Sequence, residues 1–233
     1  MPPVLHGYPV SNWFNCTRAA MIEKGLGAEF VDCRASSDPG FLANSAMGKI
    51  PWLETGRGGI AETVAIMEYL EETAAGPRLM PSDSFERARV RQVFNIVQVY
   101  VELPMRSLYP AVFMGETPDK AVAEATFGMT SRAMRALDEL CSGEPFLRGT
   151  ALTLADLAAF YTFELADRVC FHLRGDRLLD GRSSFQRWDQ AMRDRTSTKI
   201  VLADFASAFA EYRTAKGASF DEDAYLTKRK VNA

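Results

Sequence analysis

The sequence predicts a small α/β domain followed by an all-helical domain. Up to about residue 73, short segments with strand-like and helix-like patterns alternate. Residues 77–83 contain Pro77 and Pro81 and interrupt that alternation, and every apolar pattern after them has helical spacing. These observations divide the chain into an α/β domain at 1–76, a linker at 77–83, a helical domain at 84–213 and a polar tail at 214–233.

The composition is that of an intracellular globular protein. The chain has 233 residues, of which 47% are hydrophobic and 24% charged, and a formal net charge of -3. These values exclude a disordered or collagen-like chain, and the slight acidity argues against nucleic acid as an obligatory partner. No uncharged apolar run reaches the ~18 residues of a membrane span, and the first residues lack the layout of a signal peptide. We expect a cytoplasmic protein without a membrane partner.

Cysteine and histidine usage supports the same compartment. The four cysteines are scattered without CxxC spacing, so we expect them to be reduced. Two histidines, His6 and His172, are too few for a His-rich metal centre, and we expect no metal.

The first domain has the predicted element order β-α-β-α-β-β-α. A short strand ends before the turn-prone pair Tyr8-Pro9, and the helix that follows is stopped by Gly25. A Gly-rich turn at 56–58 joins two strands into a hairpin. The predicted elements are strands at 4–7, 28–33, 50–55 and 59–60, and helices at 14–24, 36–45 (short and irregular) and 62–72.

The second domain is predicted to contain five helices, at 84–114, 120–141, 153–170, 185–194 and 199–213. Pro104 lacks a backbone donor and should bend the first of them. The helix at 153–170 is the most apolar and should be central, and Thr153 with Asp156 has the spacing of a capping box at its start. The residues from Ala215 onward are polar, and we expect a mobile tail.

Three pieces of the first domain are able to act together on a ligand. A proline follows Ile50 directly before a strand, and a cis bond there would leave the backbone of Ile50 free to pair with an extended peptide. Glu62-Thr63 opens a helix, whose free N–H groups suit a carboxylate. Ser11 precedes the first helix, where its hydroxyl and nearby amides are suited to stabilise an anion such as a thiolate.

With Gly48-Lys49-Ile50-Pro51 and Ala61-Glu62-Thr63 at their observed separation, the first domain resembles the thioredoxin-like half of a cytosolic glutathione S-transferase. The helical half, with Leu152-Thr153-Leu154-Ala155-Asp156, resembles that family's C-terminal domain. The likeness runs from about Val4 to Arg213 and is to serine-type, proteobacterial-style members. It implies a homodimer in which the small domain of one subunit lies against the helices of the other.

The resemblance also implies roles for individual residues. Ile50, before Pro51, would bond the cysteinyl backbone of glutathione. Glu62 and Thr63 would hold its γ-glutamyl amine and carboxylate, and Lys49 would reach its glycyl carboxylate.

Ser11 matches the position where serine-type members place the hydroxyl that stabilises the thiolate. A hydrogen bond to a charged acceptor is worth roughly 1.5–3 kcal/mol, which lowers a thiol pKa by about one to two. This chain has Asn12 where many relatives have proline, and Asn15 near a usual basic residue, so either amide is an alternative donor. Tyr8 is a rival hydroxyl, whereas Cys16 is interpreted as a buried core thiol.

The implied activity is a glutathione S-transferase in which the thiolate attacks an apolar electrophile, with glutathione as co-substrate. One alternative is a specialised glutathione-dependent isomerase, dehalogenase or ether-cleaving lyase. Another is a non-catalytic binding or regulatory protein of the same fold, against which the intact Ile50-Pro51 and Glu62-Thr63 argue.

Overall fold

A four-stranded mixed sheet with three helices forms the first part of the chain. The structure, a computed structural model, describes residues 2–142 and 144–231. The elements follow the predicted order: β1 (Val4–Gly7), α1 (Asn12–Glu23), β2 (Phe30–Asp32), α2 (Pro39–Leu42), β3 (Trp52–Thr55), β4 (Gly58–Ala61) and α3 (Thr63–Thr73). The strand order is β2-β1-β3-β4, with β1 parallel to β2 and antiparallel to β3, and β3 antiparallel to β4.

The sheet and helices α1 and α3 share a small apolar core. Leu5 of β1 faces Leu53 of β3 in the ladder, and both are fully buried with Phe14, Ile66 and further apolar side chains of the two helices. Gly7 permits this packing, because a Cβ there would lie 2.3 Å from the Phe14 ring. The close contact fixes the turn after β1 against the start of α1.

The rest of the described chain is helical. Its elements are α4 (Ser84–Ile96), a π-helical segment (Val97–Glu102), α5 (Leu103–Arg106), α6 (Tyr109–Phe113), α7 (Lys120–Leu140), α8 (Leu154–Arg174), α9 (Ser183–Asp194), α10 (Thr196–Lys216) and α11 (Glu222–Val231). Across the ranges 2–142 and 144–231, no helix combines the length and apolarity needed to cross a membrane.

The predicted helix at 84–114 is divided in the structure. The backbone changes from α-helix to the π-helical segment at Val97 and returns to α-helix at Leu103. This irregularity directly precedes Pro104, which has no N–H to donate to the preceding turn. The expected bend is therefore a wider helical turn followed by two short helices.

Helix α8 is the central helix, as predicted. Every residue from Leu154 to Cys170 is buried. At its start, the Asp156 carboxylate accepts hydrogen bonds from the Thr153 N–H (2.8 Å), the Thr153 hydroxyl (2.7 Å), the Leu147 N–H (2.7 Å) and Trp188 Nε1 (2.9 Å). One buried carboxylate thus joins the start of α8 to the preceding loop and to α9.

The expectation of a mobile polar tail at 214–233 is not met by the described residues. Helix α10 continues to Lys216, and after a turn the chain forms α11. Phe220 and Tyr225 are buried, the Tyr225 hydroxyl donates to Asp167 (2.9 Å), and Arg168 donates to Glu222 (2.7 Å). Two aromatic side chains and one buried ion pair thus hold a segment whose composition is otherwise polar. Residues 232 and 233 lie outside the described residues.

The cap of α8 gives a test of these interactions. Thr153→Ala removes one hydroxyl and should lower the free energy of unfolding by about 1 kcal/mol. Asp156→Ala leaves several buried donors without an acceptor and should cost at least about 3 kcal/mol. Urea denaturation measures both values, with the exposed Asp194→Ala as the matched control, expected to change stability by less than about 0.5 kcal/mol. Equal losses for the Thr153 and Asp156 variants would contradict the assigned role of the carboxylate.

Candidate active site

A cavity of about 630 Å³, here called the cleft, lies between the first part of the chain and the helices of the second. Eight of the nine predicted site residues line it: Tyr8, Ser11, Asn12, Lys49, Ile50, Pro51, Glu62 and Thr63. The second part contributes side chains from the π-helical segment and from α5, α6, α8 and α10. The cleft therefore joins the predicted polar groups to an opposing helical wall.

The segment before β3 forms one wall of the cleft. The Ile50–Pro51 peptide bond is cis, as predicted. Within the described residues, neither the N–H nor the carbonyl of Ile50 has a hydrogen-bond partner. The Ser45 hydroxyl holds the backbone of Lys49, the residue before Ile50. It donates to the Lys49 carbonyl (2.8 Å) and accepts from the Lys49 N–H (3.2 Å). Ser45 is not among the predicted site residues, because a serine in a loop carries no distinguishing sequence pattern.

Glu62 and Thr63 form the second polar piece of the cleft. Glu62 precedes α3 with φ = 71°, and no other non-glycine residue in the described ranges has a positive φ. Such a backbone is costly for a residue with a Cβ, and it recurs at functional sites. Thr63 begins α3, so the first amides of that helix are free of intrahelical acceptors. The exposed carboxylate and the helix start thus lie together at the cleft.

Ser11 is the N-cap of α1, and its Oγ accepts from the Phe14 N–H at 3.4 Å. A hydroxyl that accepts in this way keeps its own hydrogen to donate. Ser11 is half-buried at the cleft, which leaves that donor available to an anion.

Asn15 is the one predicted site residue that does not line the cleft. It is buried on α1, and its Nδ2 donates to the Pro9 carbonyl (2.7 Å). One helical turn separates it from Ser11, so its side chain lies behind the turn that it stabilises. The assignment of Asn15 to ligand binding is corrected accordingly.

Asn12 belongs to a buried polar network that the sequence did not reveal. Its Nδ2 donates to Glu102 Oε1 (3.3 Å), and its Oδ1 accepts from Arg106 Nη2 (3.0 Å). Arg106 Nη2 also donates to Glu102, and Glu102 is only 3% exposed. The sequence does contain one indication of this network, because Glu102 and Arg106 lie four residues apart within an otherwise apolar stripe.

The charges of this network are well defined. Partial burial lowers the pKa of Arg106, but the adjacent Glu102 carboxylate outweighs that effect and raises the pKa above its ordinary value. Burial, with Glu102 nearby, raises the pKa of Tyr109, so its hydroxyl stays protonated. The helical wall therefore presents a cation that is paired with the Glu102 carboxylate and lies beside the neutral Tyr109 hydroxyl.

Two further residues near the first helix have reactive side chains, the rival hydroxyl Tyr8 and the thiol Cys16. The Arg34 guanidinium lies 3.3 Å above the centre of the Tyr8 ring, and the Tyr8 hydroxyl donates to the Ala208 carbonyl at 3.4 Å. Cys16 is fully buried beside Met67, and burial raises its pKa far above the ordinary range. Cys16 is therefore a core thiol, as interpreted from the sequence.

Comparisons with known proteins agree with this geometry. Residues 5–78 match the family described as "Glutathione S-transferase, N-terminal domain", and residues 100–195 match "Glutathione S-transferase, C-terminal domain". The chain is 36% identical over 165 residues to a glutathione S-transferase of Pseudomonas putida, an alignment that covers 71% of this chain and 75% of that protein. The chain belongs to the glutathione S-transferase family.

Two further likenesses accompany this assignment. The crystal structure of a glutathione S-transferase from Rhodospirillum rubrum F11 superposes with a TM-score of 0.70 at 25% identity, covering 86% of this chain and 91% of that one. Maleylacetoacetate isomerase of Mus musculus is 27% identical over 161 residues, 66% of this chain and 74% of that protein. The first part of the chain is thus a thioredoxin-like domain and the second the helical domain of a glutathione S-transferase fold, and the protein is a transferase.

Proposed function

We propose that this glutathione S-transferase is a serine-type enzyme in which the Ser11 hydroxyl stabilises the thiolate of bound glutathione. The observation that carries the proposal is the place of Ser11, at a helix N-terminus and on the cleft, with its oxygen accepting from Phe14 N–H. The hydroxyl hydrogen and the helix dipole then act on the same anion.

The proposed binding of glutathione uses three groups on one side of the cleft. The free N–H and carbonyl of Ile50 pair with the cysteinyl backbone, as a strand pairs with a sheet edge. The exposed Glu62 carboxylate holds the γ-glutamyl amine, and Thr63 with the amides at the start of α3 receives the γ-glutamyl carboxylate. Lys49 reaches the glycyl carboxylate.

The co-substrate is proposed to be an electrophile with a large apolar surface. The part of the cleft opposite the proposed glutathione site carries mostly apolar side chains, namely Val99, Leu103, Phe113, Met114, Leu165 and Phe209. Reaction consists of attack by the thiolate on the electrophilic atom, with both reactants held in one orientation.

We place the enzyme in the cytoplasm.

A specialised glutathione-dependent isomerase is the second candidate, because a maleylacetoacetate isomerase is among the relatives. In that reaction the thiolate would add to a conjugated double bond of the substrate, and glutathione would leave again after the bond has isomerised. In a transferase reaction glutathione stays bonded to the product. Ser11 and the proposed glutathione contacts serve both reactions, so the electrophile distinguishes the two candidates.

A homodimer is also proposed, in which the small domain of one subunit lies against the helices of the other. Two exposed apolar side chains favour it, one in each part of the chain: Met47 before β3 is 71% exposed, and Phe85 at the start of α4 is 67% exposed. An association that brought the two side chains together would remove both from water as one apolar patch.

Substitution of Ser11 tests the proposed mechanism. Ser11→Ala should lower kcat at neutral pH by about 10- to 100-fold, because the thiol pKa rises by about one to two when the hydroxyl is lost. The Kd for glutathione should change by less than about threefold. Thiolate absorbance of the bound tripeptide against pH, with chlorodinitrobenzene turnover, measures both effects.

Ser11→Gly is the matched control for folding. Glycine replaces an N-cap at a cost of only a few tenths of a kcal/mol, whereas alanine costs about 1 kcal/mol. If kcat falls equally in the two variants although their stabilities differ, the loss of activity is due to the missing hydroxyl and not to a weakened helix cap. Unchanged turnover in both would move the role to Tyr8 or Asn12.

The homodimer has its own test. Met47→Ser combined with Phe85→Ser should raise the dimer dissociation constant by at least about tenfold, because both apolar anchors are lost from the interface. Sedimentation equilibrium measures it, with the exposed Ile200→Ser on α10 as control. A monomeric wild-type protein at micromolar concentration would show that the proposed homodimer is wrong.

A further inference from the structure

Among the described residues of the cleft's helical wall, Arg106 on α5 is the one cation. Its side chain is 46% exposed, whereas its partner Glu102 is 3% exposed behind it. Both residues line the cleft, and the guanidinium is the more exposed of the two. Lys49, the other cation on the cleft, belongs to the segment before β3 on the proposed glutathione side.

The Arg106 guanidinium has N–H donors that its two partners, Asn12 and Glu102, do not use. Nη2 is engaged with Asn12 Oδ1 and with Glu102. Within the described residues, Nε and Nη1 have no hydrogen-bond acceptor. Arginine is the side chain whose planar donors match a carboxylate by paired hydrogen bonds. The network thus fixes one edge of the group and leaves the remaining donors available.

The orientation of Arg106 is set before any ligand binds. Asn12, at the start of α1, and Glu102, at the end of the π-helical segment, hold Nη2 from two sides. Short π-helical segments within helices are frequent at functional sites. A cation held in place loses less conformational entropy on binding than a free arginine does.

The helical wall that carries Arg106 also presents apolar side chains to the cleft. Leu103, on the same short helix, is 62% exposed, and Met114 is 37% exposed. Both line the cleft with Phe113 and Phe209. A ligand complementary to this wall has an apolar body that contacts the apolar side chains and one anionic oxygen group that pairs with the guanidinium.

We propose that Arg106 determines specificity by binding a carboxylate on the co-substrate, so that the preferred electrophile is an apolar molecule carrying one carboxylate. The inference rests on the proposed function, since it concerns the second substrate of that reaction. Asn12 and Glu102 are positioning residues for the guanidinium. The role differs from holding glutathione, whose proposed contacts lie on the elements around β3 and α3.

Two aryl chlorides, one carrying a carboxylate and the other its neutral methyl ester, test the proposal: 4-chloro-3,5-dinitrobenzoate and methyl 4-chloro-3,5-dinitrobenzoate. In both, a C–S bond forms to glutathione, the C–Cl bond breaks, and chloride leaves with the bonding electrons. Wild-type enzyme should use the benzoate with a KM at least about tenfold below that of the ester, because only the benzoate pairs with the guanidinium.

Arg106→Gln removes the charge and should raise the KM for the benzoate about tenfold. The KM for the ester and for glutathione should change by less than about twofold. Arg106→Lys keeps the charge without the paired donors and should recover part of the benzoate preference. Arg174→Gln, which removes an arginine that is 45% exposed and lies outside the cleft lining, is the matched control. Thermal melting confirms that each variant is folded.

Equal effects of Arg106→Gln on benzoate and ester would overturn the proposal and leave Arg106 a structural partner of Glu102. A raised KM for glutathione alone would assign the guanidinium to the tripeptide instead. If wild-type enzyme turns over neither chloride, the proposed function fails. Calorimetry with the unreactive 3,5-dinitrobenzoate and its methyl ester then still tests Arg106, through a benzoate preference that Arg106→Gln abolishes.

Discussion

A buried carboxylate that needs partners from both parts of the chain shapes the cleft. Glu102 is almost inaccessible to water, and a charge in that position is tolerated only when it is paired and hydrogen-bonded. Its partners are Arg106 on the helical wall and Asn12 at the start of α1. The requirement ties the start of α1, where Ser11 is the N-cap, to the wall that faces it.

The fold, and the placement of most candidate site residues on one cleft, could be predicted from the sequence, because both rest on local signals. Gly25 and the turn at 56–58 mark element ends by backbone chemistry alone. Thr153 and Asp156 mark the start of the central helix in the same way, and the structure adds Leu147 and Trp188 as partners of that carboxylate. The cis bond before Pro51 was an expectation of the same local kind.

The remaining features depend on contacts between distant residues, which no local pattern encodes. Asn15 lies one turn from Ser11, and only the packed structure shows that its amide holds Pro9. Residues 214–231 have a polar composition, yet Tyr225 reaches Asp167 and Glu222 reaches Arg168, both on the central helix. Composition averages over such a segment, whereas a few well-placed side chains decide whether it packs.

In the proposed binding mode the two walls of the cleft bind by different means, and this has a consequence for specificity. The proposed glutathione side uses largely backbone groups, namely the Ile50 amide and the start of α3, which are fixed by the sheet and its helices. The helical wall uses side chains on short elements beside a π-helical segment. Replacing a side chain there alters the surface without altering the strand register or the helix start. Under the proposed mechanism, the chemistry of the thiolate is therefore tied to the fold, while the choice of electrophile is free to vary with a few residues around Arg106.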